Sequence, residues 1–214
     1  MNTKYFLSIL ILGMLIVGCV ENGAITPDLS RIRDADTWTI HNRDLIDDKE
    51  VHLNAEPGDG FLKLNDLIFS DGTIELDIKG LNAPGQSFVG MAFHGVNDST
   101  YDVVYFRPFN FQNPERNNHS VQYVSHPKYT WRLLRENHPE EFENSLDIVP
   151  EPEDWFHVKI VVADHEVKAY VENSDEPSLS VKMISHNHQG WIGFWAGFNS
   201  EGWFRNLKIT HAKK

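Results

Sequence analysis

Gly72-Thr73-Ile74-Glu75-Leu76-Asp77-Ile78-Lys79-Gly80 alternates apolar and charged residues between two glycines. Side chains of an extended chain point to opposite faces in turn, so Ile74, Leu76 and Ile78 share one face and Glu75, Asp77 and Lys79 the other. That is a strand with one buried and one solvated side. Similar segments rich in Val, Ile, Phe, Tyr and Trp recur outward from it, separated by Gly, Asn, Asp and Pro. Residues 155–162 and 167–171 flank Ala163-Asp164-His165-Glu166, which has hairpin character. Further strands are expected at 87–94, 101–107, 120–124, 178–184, 190–198 and 203–210, and earlier ones at 37–41, 51–54 and 61–64. Only residues 129–137, bracketed by Pro127 and Pro139, read as a short helix. Regular strands without intervening helices imply two packed antiparallel sheets, and this many strands imply an all-β jelly-roll sandwich. Residues 110–119 and 138–154 are long polar insertions, the kind of loop that carries function.

The chain has 214 residues and a formal net charge of −12, from 19 Lys and Arg against 31 Asp and Glu. Nucleic acid is excluded as a main partner, because backbone binding needs a basic surface. With 1 Cys no intrachain disulfide exists. That Cys closes an N-terminal address. Residues 5–17 are apolar apart from Ser8, a run shorter than the ~20 residues of a membrane span and suited to a signal-peptide core. It ends in Ile16-Val17-Gly18-Cys19, which resembles the bacterial lipobox. The resemblance implies a lipoprotein signal peptide over 1–18, lipidation of Cys19 as the membrane anchor, and a cell-envelope location. Residues 19–30 then read as a tether and 31–214 as one domain.

Three segments resemble the concanavalin A-like lectin/glucanase superfamily, which includes laminin-G-type domains. They are the strand at 72–79; Trp155-Phe156-His157-Val158-Lys159-Ile160 with Val167-Lys168-Ala169-Tyr170-Val171; and Gly190-Trp191-Ile192-Gly193-Phe194 leading to Phe204-Arg205-Asn206-Leu207-Lys208-Ile209. Within it, bacterial 3-keto-disaccharide hydrolase domains carry an Arg late in a central strand and a Gln on the next. Val104-Tyr105-Phe106-Arg107 and Val121-Gln122-Tyr123 are similar. The Asn-Ser-Gly turn that precedes that Arg in those domains is absent here. Laminarinase-like glucanases of the same fold use a Glu-x-Asp-x-Glu-type strand. Glu75-Leu76-Asp77 resembles its first half, and Ile78-Lys79 lacks the second acid. Retaining cleavage needs two carboxyls about 5 Å apart. Glu75 and Asp77 are either such a substrate-binding pair or simply solvated.

The densest chemical segment runs from His94 to His126. Tyr101, Tyr105 and Arg107 share a face of their strand, opposite Val104 and Phe106. Adjacent strands would bring His94, Arg107 and Gln122 together. Tyr105, Gln122 and His126 offer hydrogen bonds to hydroxyls, and aromatic rings stack on the apolar face of a pyranose. Arg107 is either a ligand fork or the cross-strand partner of Glu75 or Asp77. His94, at a strand end, is the candidate base or metal ligand, with Arg107 holding a developing oxyanion. Trp191 and Trp195 share one face of their strand, and Gly193 and Gly197 open room for Trp195 to line a cleft. His186 and His188 lack the spacing of a zinc motif. No cofactor follows from these residues. Calcium is the ion the resemblance brings in, and Asn97-Asp98-Ser99-Thr100-Tyr101-Asp102 is oxygen-rich without an EF-hand pattern.

The expectation is a carbohydrate-active protein that binds an oligosaccharide on a concave sheet, with glycosidic-bond cleavage open. The alternatives are a non-catalytic lectin-like module and a lipoprotein that docks another protein.

Overall fold

A computed structural model of the protein describes residues 23–47 and 50–213; the segment 1–18 read as a signal peptide and Cys19 lie outside them. The strands are β1 Ala24–Ile25, β2 Trp38–His41, β3 Val51–Leu53, β4 Gly60–Phe69, β5 Gly72–Lys79, β6 Val89–Asn97, β7 Thr100–Phe106, β8 Val121–His126, β9 Glu143–Asn144, β10 Phe156–Ala163, β11 Glu166–Val171, β12 Leu179–Lys182, β13 Gly190–Ala196 and β14 Gly202–His211. The helix α1 spans Trp131–Asn137. Two antiparallel sheets result. The first has the order β1-β14-β5-β10-β11-β12, with β3 also on β14, and the second β2-β4-β13-β6-β7-β8-β9. This is the expected all-β jelly-roll sandwich.

The alternation in β5 decides the first sheet. Ile74, Leu76 and Ile78 are fully buried and face Ile160, Val158 and Phe156 of β10 across the ladder. β10 in turn sets Val158 and Ile160 against Val171 and Ala169 of β11. Lys159 stands on the solvent face, over the ring of Tyr170 at 4.3 Å. The hairpin between β10 and β11 closes through Asp164 and His165, both left-handed (φ 51° and 63°), the backbone a tight two-residue turn needs.

The second sheet is different: β6, β7, β8 and β13 are buried on both faces along most of their length. Its inner face supplies Leu62, Met91, Val104, Phe106, Ile192 and Phe194 to the core. Phe106 meets Phe156 at 5.4 Å and Phe194 meets Phe204 at 5.0 Å, joining the two sheets. Its outer face carries Tyr101, Tyr105, Trp191 and Trp195, all buried.

Some boundaries differ from expectation for local reasons. β4 runs on to Phe69 because Asp66 takes a left-handed conformation (φ 56°) and the chain stays extended past it. Ala24 and Ile25, inside the segment read as a tether, pair with Thr210 and Ile209 at the edge of the first sheet. The polar insertion after β7 is ordered by two 3-10 turns, Pro108–Asn110 and Asn117–His119, with Phe109, Asn110 and Phe111 buried.

Phe194→Ala should lower the unfolding free energy by about 3–5 kcal/mol, the cost of deleting a buried aromatic ring. Asp175→Ala, on an exposed turn, should stay within about 0.5 kcal/mol. Urea denaturation of both variants measures the difference.

Candidate functional site

The outer face of the second sheet opens into a small cleft. Its floor is Tyr105 of β7, Val124 and His126 of β8, and Trp195 of β13. Gly90 of β6 pairs with both Trp195 and Tyr105, whose rings approach to 5.3 Å. A Cβ at Gly90 would sit 2.1 Å from the Val104 carbonyl oxygen and 2.6 Å from Tyr105 Cα, so no larger residue fits. Phe88 and Asp59 form walls. Trp131, the first residue of α1, and Phe198, just beyond β13, stand at the lip and are 50% and 55% exposed.

Buried Arg43 fixes this rim. Its Nη2 donates to the carbonyls of Gly58, Ala196 and Gly197 at 2.7–2.8 Å, tying the loop that carries Asp59 to the end of β13. Gly197 N–H donates to Phe88 O, and Phe88 N–H to Ser200 Oγ. Asp59 Oδ2 lies 3.5 Å from His126 Nε2. Burial pushes the Asp59 carboxyl above the usual carboxylate range, opposed by the charges of His126 and Arg43. Burial likewise pushes His126 below its usual value, opposed by Asp59 and Asp102. Both shifts favour neutral groups in an aromatic-walled cleft.

Beyond Phe88 and Trp131 the cleft continues into a second hollow, lined by Arg107, Arg116, Arg135, His119 and Asn110. Arg107 is buried and its terminal nitrogens are engaged. Nη1 donates to His119 O at 2.8 Å and faces Glu143 Oε2 at 3.4 Å, while Nη2 donates to the Tyr105 hydroxyl and to Gln122 Oε1. The Tyr105 hydroxyl donates to Gln122 Oε1 at 2.7 Å. Burial raises Tyr105 to about 12, so it remains a neutral donor. Arg135 forks onto Glu143 at 2.8 and 2.6 Å. Burial pushes the Glu143 carboxyl up, but Arg135's hydrogen bonds and the charges of Arg107 and Arg135 outweigh it and hold the group below its ordinary range.

The structure thus brings Tyr105, Arg107, Gln122, His126 and Trp195 to one face. It does not bring His94, Glu75 or Asp77 there. β6, β7 and β8 are neighbours, as expected, but antiparallel pairing sets Val89 opposite Phe106 and Phe93 opposite Asp102. His94 and Arg107 are therefore at opposite ends of the ladder, on the order of 15–20 Å apart at 3.3 Å per residue. A register shift after Phe93, with His94 left-handed at φ 52°, turns His94 inward among Phe69, Phe93 and Asp102. Its Nε2 lies 2.9 Å from Ser70 O. Glu75 and Asp77 belong to the other sheet. Glu75 pairs with Lys208, and Asp77 with His157, Arg205 and Asn206. Arg107's carboxylate partner is Glu143 rather than either of them.

In the oxygen-rich segment 97–102 the Asn97, Asp98 and Asp102 side chains have partners of their own. Asn97 Oδ1 accepts from Ser99, Asp98 faces His41, and Asp102 turns inward to accept from Ser185. Among the described residues no group of three or more His, Cys, Asp and Glu side chains is gathered for a metal. Asp59, Phe88, Arg116, Trp131, Arg135, Glu143 and Phe198 were not singled out as site residues from sequence. The signals available were the polar insertions that hold Arg116 and Glu143, and the Trp in the short helix.

No family model matches the chain, and no curated protein matches it. Solved structures do. The carbohydrate-binding module CBM66 from Bacillus subtilis matches at 17% identity with a TM-score of 0.59, over 83% of this chain and 98% of that one. A Bacillus subtilis protein of unknown function with a galectin-like fold matches at 14% identity and TM-score 0.59, over 86% and 92%. The VIP36 exoplasmic/lumenal domain, bound to Ca2+ and Man3GlcNAc, matches at 10% and 0.57, over 83% and 85%. At these identities the likeness is one of fold, a galectin-like or concanavalin A-like sandwich.

The Glu143 shift fixes a pH dependence. A carboxyl whose folded pKa lies below its unfolded value of about 4.5 stabilises the fold above pH 4.5, and that contribution is lost as pH falls through the lower folded value. Glu143→Gln should cost about 3–5 kcal/mol near pH 7, because it leaves Arg107 buried without its counter-charge. The gap to the unaltered protein should narrow below pH 4.5. Thermal melts of both from pH 7 to 3 check it.

Proposed function

We propose that this chain binds an oligosaccharide in the cleft on the outer face of its second sheet. The observation that carries the reading is the exposure of Trp131 and Phe198 at the lip of a cleft floored by Tyr105 and Trp195. Large rings left in water beside a concave aromatic floor suit a flat ligand with an apolar face and polar edges. A pyranose has both: its C–H face stacks on a ring, and its hydroxyls take hydrogen bonds. Asp59 and His126 stand at the cleft to accept and donate them. The fold likeness supports the same reading, since one similar structure is a carbohydrate-binding module and another holds Man3GlcNAc.

The signal segment and the sequence around Cys19 support a lipid-anchored lipoprotein of the bacterial cell envelope, with the sandwich presented to glycans at that surface. Calcium has no assigned part in the site. A second reading, glycosidic-bond cleavage, is favoured by one observation: Asp59 is a carboxyl with a raised pKa, 3.5 Å from His126, inside the cleft. Such a carboxyl retains a proton for a leaving group.

Calorimetry of the purified chain against a panel of neutral oligosaccharides tests the binding reading. Trp131→Ala and Phe198→Ala should each weaken binding about three- to tenfold, the worth of one stacking contact. Melting temperature should fall by only a few degrees, because both rings are half exposed. Undiminished binding in the double variant would overturn the site. Shortened sugars in the same tubes, lost in Asp59→Asn, would move the assignment to an enzyme.

A further inference from the structure

We infer that the hollow beside the aromatic cleft is a subsite for an acidic sugar residue of the uronic acid type; the inference rests on the oligosaccharide reading of the adjoining cleft. The chain carries a net charge of −12, yet Arg107, Arg116 and Arg135 converge on one hollow, against the carboxylate of Glu143. Glu143 compensates part of that charge through Arg107 and Arg135. Arg116 is exposed, and among the described residues its guanidinium makes no hydrogen bond or ion pair. Cations held at one spot of an acidic surface select an anion there.

Charge alone would suit any anion. The adjoining cleft narrows it to an anion joined to a sugar. The planar guanidinium fork of Arg116 matches a carboxylate, and the Arg135 fork is already taken by Glu143. The hollow and the aromatic cleft share Phe88 and Trp131 as lining, so an acidic residue in the first lies next to a sugar stacked in the second.

The test is calorimetry of the full chain with uronate-containing oligosaccharides, the same oligosaccharides after reduction of the carboxyl to a hydroxymethyl group, and sulfated neutral counterparts. The acidic form should bind at least about tenfold more tightly than its reduced form, the worth of one charge-assisted hydrogen bond. Arg116→Ala should remove most of that preference, weakening the acidic form more than the reduced form. Raising the salt concentration should weaken the acidic form alone. Trp131→Ala should weaken both forms, which separates the two readings. Equal affinity for acidic and reduced forms, still lowered by Trp131→Ala, overturns the acidic subsite and leaves the cleft standing. A preference unmoved by Arg116→Ala, or sulfated sugars bound as well as uronates, also overturns it. Binding of neither form, with a neutral sugar of the panel still bound, overturns the acidic subsite alone; binding of no sugar at all overturns both readings.

Discussion

The structure depends on burying both faces of the second sheet. Its inner face closes against the first sheet through Phe106 on Phe156 and Phe194 on Phe204. Its outer face would otherwise present Tyr101, Tyr105, Trp191 and Trp195 to water, a large apolar penalty. The chain covers that layer with Phe88, Phe198, α1 and the insertions after β7 and α1. The cleft is the place where this cover stays open. Glycines make the layer possible. Gly90 has no room for a Cβ beneath Tyr105, and at Gly193 a Cβ would sit 2.6 Å from the Leu62 carbonyl oxygen.

Covering a sheet with polar loops buries charge, and charge in a dry interior must be compensated. Arg107 and Glu143 solve the problem for each other. Arg107 comes from the end of β7, Glu143 from β9, Arg135 from α1, and the His119 carbonyl from a 3-10 turn. One buried cluster therefore pins four segments distant in sequence over the same floor. Arg43 does similar work at the other end, gathering three carbonyls beside Asp59. The two clusters hold the walls of an aromatic cleft between a cationic hollow and a carboxyl–imidazole pair.

Much of the fold was legible because strand periodicity is local. Ile74, Leu76 and Ile78 declare a buried face within nine residues, and Asp164-His165 declares a hairpin within four. The face shared by Tyr105 and Arg107, and that shared by Trp191 and Trp195, followed from parity alone and appears in the structure. His94 did not follow, because one register shift after Phe93 turned it to the inner face. Glu75 and Asp77 resembled a catalytic strand, but β5 lies in the opposite sheet and sets them among Lys208, His157 and Arg205.

The sequence by itself determined most of the strands, their two-sided patterning and the sandwich class, since each depends on neighbours one to four positions apart. Only the tertiary structure decided which outward face became a cleft and which residues line it. Asp59, Phe88, Trp131, Glu143 and Phe198 come from separate loops and a helix, and no sequence period links them. They meet because the aromatic layer of the second sheet had to be covered, and because the charges of the covering loops had to find partners there.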